Sequence, residues 1–179
     1  GDCACGREYG LIVRNGAFLR DTGVGDILVY DSDGSMRIFR GNAFDMDAEM
    51  EKGAVQVWSF GPALLDAEGK SIDKFNTNIA GLNPRAALGY YEPGHYCFVV
   101  VDGRGENGSR GTKLEELSRH FETPGCPLAY NFGRGHSAVM LSDAGTTVYQ
   151  PDCGGLDVLD ILYIGTGWTT HNSHIRSTT

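Results

Sequence analysis

The sequence has no long apolar run. None of its apolar stretches reaches the roughly 18 consecutive residues that a membrane-spanning helix needs. No charged and then apolar leader opens the chain of 179 residues. We therefore expect no membrane span. A chain of this length can form one domain with its own core, without metal or disulfide cross-links.

Basic residues are also few. The chain contains 15 Lys and Arg against 23 Asp and Glu, which gives a formal net charge of −8, and its pI is near 5.0. Nucleic acids and anionic membranes bind to basic faces, from which counterions are released. The composition therefore argues against both as partners, whereas one buried phosphate group is compatible with it.

The cysteines are few and irregularly spaced. Their odd number excludes a complete disulfide framework within the chain, so at least one thiol is expected to be unpaired. Cysteines and histidines together lack the paired C-x-x-C or H-x-x-x-H spacing that is typical of zinc sites. The sequence therefore predicts neither a metal site nor another cofactor. The cysteines are Cys3, Cys5, Cys97, Cys126 and Cys153.

Turn-forming residues separate apolar stretches at three places. Asn15-Gly16 and Asp33-Gly34 are dipeptides that favour tight hairpin turns, and a Pro-Gly turn over residues 92–95 predicts a third hairpin. Residues 55–65 have the pattern of one buried strand that runs into a Gly-Pro break. Further strands are predicted over 127–132, 137–141, 146–150 and 159–164.

Two segments have helical features. Residues 45–53 carry acidic side chains early and Gly53 as a stop. Residues 112–121 place Thr112 and Glu115 in capping-box spacing before one apolar face. Hairpins with few helices predict an α+β fold, a single domain over residues 1–164 with a mixed, mostly antiparallel sheet. Residues 165–179 lack periodicity and are expected to form a loose C-terminal tail.

Four blocks carry a resemblance to a known family. In order they read "SFGPALL", "NPRAALGYYEPGHYCFVVVDGR", "SRGTKLEEL" and "AYNFGRGHSAVM", and they span about residues 59–140. This run resembles the phosphodiester glycosidase family. "GDCAC" at the start is similar to the remainder of the family's entry motif, so we expect an upstream segment to be missing.

The resemblance implies hydrolysis of a glycosyl phosphodiester of the N-acetylglucosamine type. It implies a sugar phosphodiester or polysaccharide as the substrate. Many bacterial members of the family are uncharacterised or tied to exopolysaccharide. Bacterial members of this type are often exported, and the resemblance therefore implies a cell-envelope or secreted location. The residues that fall on the family's motifs are Asn83, Arg85, Asp102, Arg104, Ser109, Gly111, Asn131, Gly135 and Ser137.

Roles for these residues follow from the chemistry. Cleavage at the anomeric carbon needs anionic stabilisation of an oxocarbenium-like state and cations on the phosphate. We expect Arg85 and Arg104 to hold the phosphate, and Asp102 to be the catalytic carboxylate. Each arginine fits equally well as a turn anchor that bonds backbone carbonyls, and Asp102 as Asp-Gly turn chemistry.

The remaining motif residues are expected to bind substrate. Ser109 and Ser137 fit bonds to sugar or phosphate oxygens, or the capping of the helix and turn beside them. Asn83 and Asn131 are assigned to substrate binding by the resemblance alone. His95, in the Pro-Gly-His hairpin, is expected to be structural.

The last block departs from the family's pattern. Gly133 stands where the family has aspartate, and Arg134 and His136 stand where it has glycine. We therefore expect a weak hydrolase, or alternatively a non-catalytic carbohydrate-binding or cell-surface protein on the same fold. A third hypothesis is a thiol hydrolase that uses Cys3 or Cys5 with His136, but it leaves the N-P-R and D-G-R blocks unexplained.

Overall fold

The computed structural model describes residues 10–22, 25–41, 44–105, 108–142, 146–149 and 161–165. Two helices are assigned in these ranges, α1 (Met46–Glu51) and α2 (Leu114–Glu122). The strands are β1 (Leu11–Arg14), β2 (Ala17–Asp21), β3 (Ile27–Asp31), β4 (Met36–Phe39), β5 (Ala54–Trp58), β6 (Arg85–Glu92), β7 (His95–Val101), β8 (Leu128–Arg134), β9 (Met140–Leu141) and β10 (Thr147–Tyr149).

The first sheet has five strands in the order β2-β1-β5-β3-β4, and each neighbouring pair is antiparallel. Asn15 and Gly16 have φ values of 52° and 74° in the turn between β1 and β2. Both values are positive, as a type I′ hairpin turn requires. Strands β3 and β4 also pair antiparallel on either side of Asp33-Gly34. The predicted hairpins at Asn15-Gly16 and Asp33-Gly34 are therefore confirmed.

The second sheet has the order β7-β6-β8 and is also antiparallel. Its β6–β7 hairpin turns where the sequence predicted it. The strand predicted over 55–65 is wrong in extent, because β5 ends at Trp58 in the first sheet. Residues 62–64 then lie beside β8, where Ala63 pairs with Tyr130 and the Leu64 amide donates to Ala129 at 2.8 Å.

The two sheets pack face to face. Leu28 and Trp58 of the first sheet contact Leu88 and Tyr130 of the second, and all four are buried. The Tyr130 hydroxyl donates to the Asp26 carbonyl at 2.7 Å, so it also links the sheets by a hydrogen bond. Burial of these large apolar side chains is the main stabilising term for this interface.

Each helix covers the outer face of one sheet. Met46 and Met50 of α1 pack against the first sheet, while Leu117 and Phe121 of α2 pack against the second. A Cβ on Gly89 would lie 2.9 Å from the Phe121 ring, so glycine permits this close approach. The layers are therefore helix, sheet, sheet and helix, which confirms the predicted single α+β domain.

The start of α2 differs from the prediction by one residue. Lys113 is the N-cap, and its amide donates to Glu116 at 3.0 Å, so Glu116 completes the capping box. The predicted pairing of Thr112 with Glu115 is wrong. Thr112 instead donates its hydroxyl to Glu116 at 3.2 Å. Because only one of two consecutive glutamates can occupy the capping position, Glu115 is left for another role.

The predicted strands after β8 are shorter in the structure. Residues Gly135–Ser137 form a 3₁₀ turn, and only Met140–Leu141 of the segment 137–141 is a strand. Residues 161–164 of the predicted strand 159–164 have no strand assignment, and 159–160 lie outside the described residues, as does the tail after Gly165. Within the ranges described, no helix is long and apolar enough to cross a membrane.

Candidate active site

One end of the second sheet brings together segments from three of the four sequence blocks. Arg85, at the start of β6, faces Val101 at the end of β7 on one side and Arg134 at the end of β8 on the other. The N-P-R, D-G-R and Asn131–Ser137 blocks therefore meet where three neighbouring strands begin or end. Asn83 pairs with Thr112, which joins the S-x-G block to the same place.

Two glycines make this convergence sterically feasible. A Cβ on Gly111 would lie 2.6 Å from the carbonyl of Asn83, and a Cβ on Gly103 would lie 2.8 Å from the amide nitrogen of Pro84. Gly111 also has a φ of 84°, a conformation that other residues rarely adopt. The glycines of the D-G-R and S-x-G blocks therefore have a packing role.

Asp102 lies directly after β7 and is half-buried. From described residues, its Oδ1 accepts one hydrogen bond of 2.7 Å from the Gly103 amide and one of 2.6 Å from the Tyr149 hydroxyl. Two donors on one oxygen stabilise a negatively charged carboxylate and hold it in one orientation. The Gly103 bond is the Asp-Gly turn chemistry that the sequence left open, whereas the Tyr149 bond was not predicted.

Arg104 lies in the turn that follows, and its backbone has a φ of 63°. It is exposed, and its Nη2 is 2.9 Å from the position that a Cβ on Gly135 would occupy. The Gly135 amide also donates to the Pro84 carbonyl at 3.2 Å. Arg104 therefore lies over the loop of the last block, and it presents a cation at the surface of the site.

Arg85 is fully buried. Its Nη2 donates to the carbonyls of Ile79 and Gly81 at 2.7 and 2.6 Å, and its Nε donates to Thr112 at 3.3 Å. Of the two roles left open by the sequence, the geometry shows the turn anchor. The expected two-point grip on phosphate is not available, because only Nη1 lacks a hydrogen-bond partner among the described residues.

A β-bulge brings Arg134 beside Arg85. The register of β6 and β8 shifts so that Ala87 faces Asn131 but Ala86 faces Gly133. Facing residues in such a ladder lie on the same side of the sheet. Burial, together with the charge of Arg134, lowers the pKa of Arg85 to about 10. Arg134 is exposed, and so it adds a second accessible guanidinium that no motif had assigned.

Glu115 is a further residue that sequence reasoning missed. Its charge opposes the lowering of the Arg85 pKa, so it lies near that guanidinium. Its Oε2 is buried and accepts no hydrogen bond from the described residues. The sequence signal for a glutamate beside Arg85 was the pair of consecutive glutamates at the start of α2, Glu115 and Glu116.

The polar motif residues bond to backbone carbonyls. Asn131 is fully buried and donates Nδ2 to Gly61 at 2.9 Å, while its Oδ1 has no partner in the part of the chain that is described. Ser109 donates its hydroxyl to the Asp102 carbonyl at 2.8 Å, and Ser137 donates to Arg134 at 3.2 Å. Asn83 donates Nδ2 to the Gly81 carbonyl at 3.2 Å. Their substrate-binding roles stay predictions.

Other candidates lie apart from this site or outside the described residues. His95 stacks on Tyr91 with ring centroids 4.5 Å apart, at the opposite end of the β6–β7 ladder. Cys3, Cys5 and the side chain of His136 lie outside the described residues. The described residues contain no group of three or more His, Cys, Asp or Glu side chains that could hold a metal ion.

Comparisons with known proteins extend these observations. The chain is 29% identical over 142 residues to the SPbeta prophage-derived uncharacterized protein YomE of Bacillus subtilis (strain 168). The aligned residues cover 74% of this chain and 22% of YomE. Its fold is similar to the catalytic domain of zebrafish N-acetylglucosamine-1-phosphodiester alpha-N-acetylglucosaminidase, auto-inhibited by its pro-peptide. That similarity has a TM-score of 0.64 at 22% identity.

The structural similarity covers 80% of this chain and 50% of the chain in the zebrafish structure. The chain thus spans less than a quarter of YomE and half of the zebrafish chain. The sequence model of one family, described as phosphodiester glycosidase, matches residues 4–165, which include every block that meets at the end of the second sheet. This chain therefore belongs to the phosphodiester glycosidase family.

Proposed function

We propose that this chain hydrolyses a glycosyl phosphodiester, with N-acetylglucosamine as the sugar. One observation carries the proposal. The Asp102 carboxylate and two exposed guanidiniums, those of Arg104 and Arg134, lie at the same end of the second sheet. Family membership supports the reaction type, and the name of the zebrafish relative supports the sugar.

The cations are suited to the phosphate. A planar guanidinium donates two hydrogen bonds to phosphate oxygens. Arg104 and Arg134 are exposed, whereas Arg85 is buried. Arg85 contributes Nη1 at most, since its other donors bond backbone carbonyls. The phosphate site that we propose is therefore different from the Arg85–Arg104 pair expected from the sequence.

The carboxylate is suited to the sugar. Water attacks the anomeric carbon, the bond to the phosphate oxygen breaks, and the electron pair leaves with the phosphomonoester. This leaving group is a stable anion near neutral pH, so it needs little help from a general acid. The remaining requirement is a carboxylate that stabilises the positive charge or accepts the proton of the water, and we assign this role to Asp102.

We further propose that the activity is weak. Gly133 occupies the position where the family has an aspartate, so the site lacks one carboxylate that the resemblance implies. Among the described residues, the nearest atom to a Cβ added there is the Ser137 hydroxyl oxygen at 3.7 Å, an ordinary contact distance. The described residues around Gly133 therefore accommodate a Cβ.

The test uses the methyl phosphodiester of N-acetylglucosamine 1-phosphate. Released N-acetylglucosamine is quantified for the natural chain, for Asp102→Asn and for Arg119→Gln. Arg119→Gln is a control outside the site, since Arg119 is exposed on α2 and makes a surface ion pair of 3.4 Å with Asp73. We expect Asp102→Asn to lower kcat by on the order of 10²-fold, and Arg119→Gln to have no effect.

Two results contradict the proposal in different ways. Equal rates for the natural chain and Asp102→Asn would remove Asp102 from the mechanism. Tight binding of the diester without any release of sugar would identify a non-catalytic carbohydrate-binding protein instead.

A further inference from the structure

A short hairpin reaches from the last sequence block back to Asp102. Strand β9 follows the 3₁₀ turn Gly135–Ser137, and β10 returns antiparallel to it, with Tyr149 opposite Met140. Val148 is 61% exposed, whereas Tyr149 is half-buried. The hairpin therefore points one tyrosine inward at its end, and the hydroxyl of that tyrosine is 2.6 Å from Asp102 Oδ1.

This contact joins residues that are 47 positions apart in the sequence. No sequence block includes Tyr149, and no motif assigned it a role. A phenol that donates to a carboxylate at this distance forms a short, charge-assisted hydrogen bond. It holds the side chain of Asp102 and favours the charged form of the carboxyl group.

We infer that Tyr149 is a positioning residue for Asp102, which keeps the carboxylate charged and oriented for attack at the anomeric carbon. The part of this inference that concerns attack at the anomeric carbon rests on the proposed function. The pairing of Tyr149 with Asp102 rests on the observed hydrogen bond alone. The Gly103 amide holds the same oxygen from the backbone at 2.7 Å. Tyr149 therefore adds a side-chain hydrogen bond to the backbone bond from Gly103.

The consequence for protonation has a definite sign. A donor to the charged form lowers the pH at which a carboxylate takes up a proton. Tyr149→Phe removes that donor and keeps the ring. The titration midpoint of Asp102 should therefore rise, by about 1 pH unit if the lost bond is of the usual charge-assisted strength. The acidic limb of the kcat/KM profile should move upward by the same amount.

The first experiment needs no turnover. The chain is labelled with ¹³C at the aspartate carboxyl carbons, and the Asp102 signal is identified by its loss in Asp102→Asn. Its midpoint is then measured by NMR for the natural chain, for Tyr149→Phe and for Tyr91→Phe. Tyr91 is the matched control, because it lies at the opposite end of the β6–β7 ladder beside His95. We expect only Tyr149→Phe to raise the midpoint.

The second experiment measures kcat/KM against pH on the same diester. Tyr149→Phe should shift the acidic limb in the natural background, and it should have little effect on the residual rate of Asp102→Asn, since the pair acts as one unit. A merely structural tyrosine would lower the rate equally in both backgrounds and at every pH.

The outcomes separate the two proposals. An unchanged Asp102 midpoint in a folded Tyr149→Phe chain overturns the inference, whether or not the diester is cleaved. A raised midpoint in a chain that cleaves no diester supports the pairing and contradicts the proposed function alone. A thermal melt of each variant establishes that it is folded.

Discussion

Arg85→Lys tests whether the buried arginine is an anchor or a phosphate ligand. The guanidinium makes two short hydrogen bonds, of 2.6 and 2.7 Å, to the carbonyls of Gly81 and Ile79. Hydrogen bonds to a charged group contribute about 1.5–3 kcal/mol each. A lysine ammonium cannot reproduce this fork, and it is more strongly hydrated, so its burial costs more.

The expected loss follows from these contacts. With one of the short bonds lost and a third, of 3.3 Å to Thr112, also removed, we expect the free energy of unfolding to fall by about 2–4 kcal/mol. For a chain of 179 residues this corresponds to a fall in Tm of roughly 5–15 °C. Urea unfolding is followed by the fluorescence of tryptophan, since Trp58 is buried between the sheets.

Arg104→Lys is the matched control. Arg104 is exposed in the neighbouring turn, so its conservative substitution should change the free energy of unfolding by less than about 1 kcal/mol. It should instead weaken the binding of N-acetylglucosamine 1-phosphate in calorimetric titration, by on the order of 1–3 kcal/mol. Equal stability of the Arg85→Lys variant and the natural chain would refute the anchoring role that we assign to Arg85.

Three further substitutions test separate features. Gly133→Asp should raise the rate of sugar release from the diester, because it restores a carboxylate at a position where an added Cβ meets no described atom closer than 3.7 Å; an efficient natural chain that gains nothing would contradict this. Gly111→Ala should lower the free energy of unfolding by more than about 2 kcal/mol in urea titration, since its φ is 84° and its Cβ would lie 2.6 Å from Asn83, whereas alanine at exposed Gly94 should cost less. Glu49→Gln should flatten the acid side of the stability profile: burial raises the pKa of Glu49, but hydrogen bonds from two basic side chains outweigh this and lower it below the ordinary value of 4.5. The natural chain should therefore lose this stabilisation as the pH falls below about 4.5, and identical profiles for both chains would contradict the assignment.

Local patterns predicted the turns and helices well. Asn15-Gly16 specifies a hairpin because both residues tolerate positive φ, and this is a property of the dipeptide alone. The apolar run over 55–65 was different, because one long buried strand has the same composition as a short strand in one sheet followed by a segment that bridges to the other sheet. The break at Gly61–Pro62 was visible, but the change of sheet depends on contacts with β8 that lie far away in the sequence.

The candidate site was predictable only in part. The resemblance named four blocks, and segments of three of them meet at one end of the second sheet. Which guanidinium is accessible was not predictable, since it depends on the register shift that places Arg134 beside Arg85 and on the carbonyls that surround Arg85. The contact of Tyr149 with Asp102 depends on how a distant hairpin folds back, and no local pattern contains that information.

The passage of residues 54–64 from one sheet to the other has a consequence for how the protein opens. Val57 is bonded within the first sheet and Leu64 within the second, with six residues between them. Local unfolding of either sheet displaces the same short segment. The Tyr130 hydroxyl beside it links the two sheets through hydrogen bonds to the carbonyls of Asp26 and Trp58. Amides of β3 and β8 should therefore exchange with solvent hydrogen at similar free energies, as members of one cooperative unit.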